Sequence, residues 1–211
     1  MDYKYIVIEG NIGAGKTSLA KKLADEYNAN LILEQFEDNP FLPKFYNNPD
    51  KYSFHVELSF LASRYQQLIK DLPYKNLFKT FTLADFYFSK SLIFASVTLS
   101  EQEYNLYRQI FNIIYKSLPK PDLYFYLHVE PHELIKNIKN RGRDYEQSLD
   151  EEYLQKIQNG YFQFMKEQNE MRIVVLDANK LDFVNKNTDY ETIKYHLFNK
   201  NYNKGLNHVA F

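Results

Sequence analysis

Residues Gly10-Asn11-Ile12-Gly13-Ala14-Gly15-Lys16-Thr17 match the pattern G-x-x-x-x-G-K-[ST] at every position. A segment of this kind needs a strand leading in and a helix leading out. Residues 5–8 form an apolar run before it, and residues 18–27 carry helical periodicity after it. Glycines let the backbone curl into a ring of amide N–H groups at a helix N-terminus, where the dipole favours an anion. Gly10, Asn11, Gly13, Ala14, Gly15, Lys16, Thr17 and Ser18 are therefore expected to cradle the phosphates of a nucleotide. Lys16 should reach the terminal phosphates, and the Thr17 hydroxyl should meet Mg2+.

The rest of the chain repeats this alternation. Short apolar runs at residues 5–8, 30–33, 80–84, 123–127 and 173–176 are separated by segments long enough for crossover helices. The rhythm predicts an α/β protein of the P-loop NTPase type, a three-layer α/β/α sandwich around a five-stranded parallel sheet. Helices are expected over 52–70, over 92–116 with a break near Thr98, over 150–164 and around 190–198. With 211 residues, the expectation is a single domain spanning 1–211, its tail at about 199–211 poorly ordered. In such sheets ligands sit at the carboxyl ends of the strands. That rule selects Glu9, Glu34, Asp85 and Asp177, the last read as a turn or capping residue.

Composition narrows the function. A formal net charge of -1, without a basic stripe, disfavours nucleic-acid binding. There is no cysteine, so disulfides, thiolate metal sites and a cysteine nucleophile drop out. No stretch approaches the roughly 20 apolar residues of a membrane span, and the N-terminus lacks signal-peptide character. A cytoplasmic protein is expected. The five histidines show no metal spacing. With 19 Tyr and 17 Phe, the chain has aromatic bulk chiefly for its core.

Arg141-Gly142-Arg143-Asp144 lies between two helical stretches. Paired arginines on a glycine-jointed loop suit a lid, at about 139–150, closing on a transferring phosphoryl group.

Taken in order, the phosphate loop, Glu34, a helix bearing Phe54, Glu57 and Arg64, and Arg141 to Glu146 resemble the deoxynucleoside kinase family over roughly residues 4 to 170. The resemblance implies transfer of the γ-phosphoryl group of ATP, with Mg2+, to the 5′-hydroxyl of a deoxynucleoside. It implies Glu34 as general base, with Glu37 a nearby competitor. Tyr46 and Glu146 would share the 3′-hydroxyl, Phe54 would pack on the base, and Arg141 and Arg143 would close over the phosphates. Asp85 stands for an acidic residue that holds Mg2+ with Thr17. The arginine that commonly follows it is missing from Leu83-Ala84-Asp85-Phe86-Tyr87, which leaves Lys90 or Arg64 to supply that charge. Glu57 stands where animal members carry a base-reading glutamine, and an ionised carboxylate only accepts hydrogen bonds. The expected acceptor is therefore a purine deoxynucleoside, with the choice of purine open. An ion pair between Glu57 and Arg64 is the plain alternative. A nucleoside monophosphate kinase or a broader kinase that includes deoxycytidine is the competing function. The resemblance also implies a homodimer through the 52–70 helix.

Overall fold

The computed structural model describes residues 3–36, 39–72 and 79–210. Its strands are β1 (Tyr5–Gly10), β2 (Asn30–Ile32), β3 (Thr82–Ala84), β4 (Leu123–His128), β5 (Arg172–Asp177) and β6 (Gly205–Val209). They form one sheet in the order β2-β3-β1-β4-β5-β6, and every pairing is parallel. All five apolar runs become strands. The sixth strand corrects the five-strand expectation and lies in the tail expected to be poorly ordered. Its Leu206 and Val209 pack on opposite faces of the sheet, and Asn207 Nδ2 donates to the Ile173 carbonyl at 3.0 Å. Ladder pairing to β5, rather than apolar content, orders this polar edge strand.

In chain order the helices are α1 (Lys16–Tyr27), α2 (Leu42–Asn47), α3 (Pro49–Asp71), α4 (Ser89–Thr98), α5 (Glu101–Tyr115), α6 (Pro131–Arg141), α7 (Glu151–Lys166) and α8 (Asn187–Phe198). The strands are apolar on both faces because both are covered. Tyr5, Val7, Tyr124, Tyr126, Ile173 and Val175 join a core with residues of α3, α4, α5 and α7. Ile6, Ile8, Leu123, Phe125, Val174 and Leu176 join another with α1, α6 and α8. Period-two alternation thus splits each strand between two cores.

The break near Thr98 has a local cause. Leu99 is extended, and Ser100 opens α5 with a capping box to Glu103. Strand β1 lies between β3 and β4, so the crossovers leave it in opposite directions. A crevice opens at the carboxyl ends there, and the phosphate loop follows β1 directly into it. No helix among the described residues is long and apolar enough to cross a membrane.

Candidate active site

The loop after β1 is shaped by glycines that nothing larger could replace. Gly15 caps α1 with φ 83, and a Cβ there would meet Phe183 Cζ at 2.6 Å. Gly13 has φ 84, and its Cβ would meet the Leu134 carbonyl at 2.9 Å. Asn137 of α6 donates to the Gly13 carbonyl at 3.0 Å. Lys16 Nζ donates back across the loop to the Asn11 carbonyl at 2.8 Å. Burial first, and then the Lys90 ammonium, lower the Lys16 pKa to about 8.

A cavity of about 1360 Å³ opens at this loop. Residues 12–18, Glu34, Tyr46, Glu57, Arg64, Asp85, Lys90, Arg141, Arg143 and Glu146 line it. Gly10, Asn11 and Phe54 do not. Gly10 lies against β4, where a Cβ would meet the Leu127 carbonyl at 2.8 Å. Asn11 is buried, its Nδ2 donating to the Leu154 carbonyl at 2.8 Å and its Oδ1 accepting from Ile12 N at 2.9 Å. It anchors the loop to α7 rather than facing a ligand. Phe54 is half-buried on α3 and is replaced along the wall by Phe60 and Phe94. At about 100° per residue, Phe60 and Phe54 fall on opposite sides of Glu57 around the helix. The side shared by Val56, Phe60, Arg64 and Gln67 faces the cavity.

Glu34 follows β2 and is the electrostatic centre of the site. Its Oε1 accepts from Arg64 Nε at 2.8 Å and lies 2.7 Å from Arg64 Nη2, while its Oε2 lies 2.5 Å from Lys90 Nζ. Burial alone would raise its pKa, but Lys90 and then Arg64 bring it down to about 2. Arg64 also donates to Ser91 Oγ at 2.9 Å, so its hydrogen bonds go to Glu34 and Ser91 rather than to Glu57. Behind Glu34, Asp85 Oδ1 accepts from the Glu34 amide at 2.8 Å and Oδ2 accepts from Thr17 Oγ1 at 2.5 Å. Phe86, fully buried, follows Asp85 in the chain in place of a cation; Lys90, in the first turn of α4, and Arg64 both pair with Glu34 instead. Glu37 lies outside the described residues.

Glu57 is 3% exposed. Its Oε1 accepts from Thr98 at 2.9 Å, and its Oε2 is buried without a hydrogen-bond partner. Burial raises its pKa to about 7, with Arg64 the largest opposing influence.

In the lid, α6 ends at Arg141, Gly142 turns the chain with φ 74, and a single 3-10 turn spans Asp144–Glu146. Glu146 pairs with Arg141 and also with Arg143, whose Nη1 lies 3.3 Å away. The Arg143 guanidinium sits 4.3 Å from the Phe36 ring centroid. Tyr46 stacks on Tyr145 at 5.6 Å. Burial first, and then the Glu146 carboxylate, push the Tyr46 phenol up.

Sequence reasoning missed residues 178–185, which line the cavity beyond β5. The signal was available, since they follow a strand's carboxyl end. Asp177 organises that turn, accepting from Asn179 N at 3.0 Å and Nδ2 at 2.7 Å. Glu9, also at a strand end, is instead a core carboxyl. It accepts from Tyr87 N at 2.7 Å and from the Tyr161 hydroxyl at 2.9 Å.

The family model described as deoxynucleoside kinase matches residues 6–201. A deoxyguanosine kinase of Bacillus subtilis is 34% identical over 197 residues, 92% of this chain and 95% of the relative. A deoxyadenosine kinase of Dictyostelium discoideum is 33% identical, covering 85% of this chain and 74% of the relative. The structure of deoxyadenosine kinase from M. mycoides with products dCMP and a flexible dCDP bound superposes with a TM-score of 0.80. It is 27% identical and covers 92% of this chain and 99% of that one. With the phosphate loop, the buried Glu34 cluster and the arginine lid sharing one cavity, and with these likenesses, the chain belongs to the deoxynucleoside kinase family.

Proposed function

We propose that the protein transfers the γ-phosphoryl group of ATP to the 5′-hydroxyl of a purine deoxynucleoside, deoxyadenosine or deoxyguanosine. The observation that carries this is the continuity of one cavity from Lys16 past Glu34 to Glu57, whose Oε2 is buried without a hydrogen-bond partner. The similar kinases from B. subtilis and D. discoideum act on deoxyguanosine and deoxyadenosine.

The loop amides and Lys16 hold the β- and γ-phosphates. Thr17 Oγ1 and Asp85 Oδ2 fit Mg2+: both are hard oxygen donors on the cavity wall, 2.5 Å apart. That ion takes few protein ligands and keeps waters and phosphate oxygens, which agrees with so small a set. When bound it neutralises phosphate charge. The 5′-oxygen attacks the γ-phosphorus as the bond to the β,γ-bridging oxygen breaks, and ADP leaves. Glu34 orients the hydroxyl and takes its proton. Arg141 and Arg143 close on the transferring group, whose charge they stabilise. Tyr46 and Glu146 read the 3′-hydroxyl, and Glu57 reads the base between Phe60 and Phe94.

An acceptor that already carried a phosphate would need further arginines. Outside the lid, the cavity lining among the described residues holds Arg64 alone, and Glu34 and Ser91 occupy it. A homodimer fits the exposed apolar side chains of Leu58 and Ile69 on α3 and Leu106 and Ile113 on α5, where Ile113 is 75% exposed. The cysteine-free composition suits the reducing cytoplasm, where ATP is available.

The test is a phosphoryl-transfer assay with ATP, Mg2+ and each of the four deoxynucleosides beside adenosine and guanosine. Turnover centred on deoxyadenosine or deoxyguanosine is expected. Preference for pyrimidines would overturn the purine assignment, and activity confined to monophosphates would overturn the acceptor class.

A further inference from the structure

Thr98 is the last residue of α4 and does not line the main cavity. Even so, its Oγ1 lies 2.9 Å from Glu57 Oε1 and 3.1 Å from the Phe94 carbonyl. A threonine hydroxyl has one hydrogen, so it can donate to only one of these acceptors at a time. From α5, the Tyr107 hydroxyl donates to the Glu57 backbone carbonyl at 3.2 Å and steadies the same residue. The carboxyl is thus held at Oε1, while Oε2 is buried with no partner.

The Thr98 hydroxyl and the carboxyl proton together set what Oε2 can do. Pointed at Glu57, Thr98 donates to an ionised carboxylate, and Oε2 is an acceptor. Pointed at Phe94, Thr98 accepts from a protonated Oε1, and Oε2 is the carbonyl oxygen, again an acceptor. In the remaining arrangement Oε1 of the neutral acid accepts from Thr98 and the proton sits on Oε2, a donor; Thr98 disfavours that arrangement, because its hydrogen bond to the ionised carboxylate is the stronger one. We infer that Thr98 is a specificity-positioning residue that keeps Glu57 an acceptor toward the base, favouring guanine, with adjacent N–H donors, over adenine, whose ring nitrogen needs a donor. The inference deepens the purine reading above and rests on it.

The charged and titratable groups around this carboxyl come from several elements. They are Arg64 on its own helix, Lys90 on α4, Glu34 after β2, Tyr46 on α2, Tyr107 on α5 and Tyr153 on α7. Burial pushes all three phenols up, and Glu34 sits at about 2. Glu57, at about 7, is the carboxyl that changes state near neutrality. Groups acting on the phosphates, Lys16 among them, affect both purines alike and cancel in a ratio.

The experiment measures kcat/KM for deoxyguanosine and deoxyadenosine from pH 6 to 9 in the wild type, Thr98→Val and Thr98→Ser. The wild-type deoxyguanosine-to-deoxyadenosine ratio is expected to rise with pH as Glu57 ionises near 7. In Thr98→Val that rise should move about one unit to higher pH, which lowers the ratio about fivefold at pH 7 and lets it rejoin the wild type toward pH 9, because a donor to the charged form has been lost. Thr98→Ser should keep the wild-type profile. Thr98→Ala gives the same readout should Thr98→Val fail to fold. Valine and alanine profiles coincident with that of the wild type, with purines turned over by the wild type, would overturn the role of Thr98 alone. A wild type that uses neither purine overturns the substrate reading and this inference with it, and that result is visible without any variant.

Discussion

Lys90 Nζ lies 2.5 Å from Glu34 Oε2, on the side of the carboxylate that Arg64 leaves open. The two cations hold a nearly buried carboxylate ionised where burial by itself would favour its neutral form. The proposed base is therefore ready to accept a proton but weakly basic, which suits phosphoryl transfer, where positioning carries much of the catalysis.

Replacing Glu34 with Gln keeps the size and removes the proton acceptor. The expected result is a loss of about 10²–10⁴ in kcat with nucleoside affinity changed only a few fold. Steady-state rates beside equilibrium nucleoside titration separate the two, and a variant with full turnover would exclude Glu34 as the base.

The neighbouring ammonium gives a pH signature. In Lys90→Met, Glu34 loses its largest charge-stabilising partner, so its pKa rises from about 2 toward or above the ordinary carboxylate range. The acidic limb of kcat/KM should move to higher pH, because the carboxylate must be ionised to act. Lys90→Arg should restore most of the limb. Coincident wild-type and methionine profiles would show that Lys90 does not act through Glu34.

Arg141 and Arg143 converge on Glu146 in the loop after α6. Arg143→Ala is expected to lower kcat about 10²–10³-fold, the usual cost of a lost transition-state donor. Arg143→Lys should recover little, since an ammonium lacks the planar fork. Comparing kcat with KM for ATP tests this, and a change confined to KM would make Arg143 a ground-state contact.

Glu57 links specificity to stability. Its pKa is raised in the folded protein, to about 7, so between about 4.5 and 7 the folded state binds more proton than the unfolded chain. Stability contributed by the neutral carboxyl is present at low pH and lost as pH rises through 7. Glu57→Gln removes that loss. It should raise the thermal midpoint by a few degrees at pH 8 and by less at pH 5, consistent with at most about 3 kcal/mol. Thermal melts at the two pH values decide it, with equal shifts counting against a buried titrating carboxyl.

Local pattern made several features legible in advance. The phosphate loop follows from eight contiguous residues, and the strand runs from apolar stretches that only a doubly covered sheet can bury. The α4–α5 break follows from a Ser-x-x-Glu cap. Less legible were features that depend on partners distant in sequence. Asn11 sits inside the loop motif yet turns inward, because Leu154 offers it a carbonyl. Phe54 fell on the wrong side of its helix, since periodicity defines a face but not what that face meets. The polar tail became β6 because β5 offered it an open edge.

The sequence by itself determined the phosphate loop, the layered α/β plan and the pair of arginines around Gly142, because these are carried by residue types at short spacing. Only the tertiary structure decided that Lys90 and Arg64 both pair with Glu34, and that Arg64 does so rather than bonding Glu57. It also decided that Thr98 holds one oxygen of Glu57 and leaves the other open. Each of these depends on which side chain arrives within hydrogen-bond distance of a buried carboxylate, and that distance is set by the packing of whole helices against the sheet.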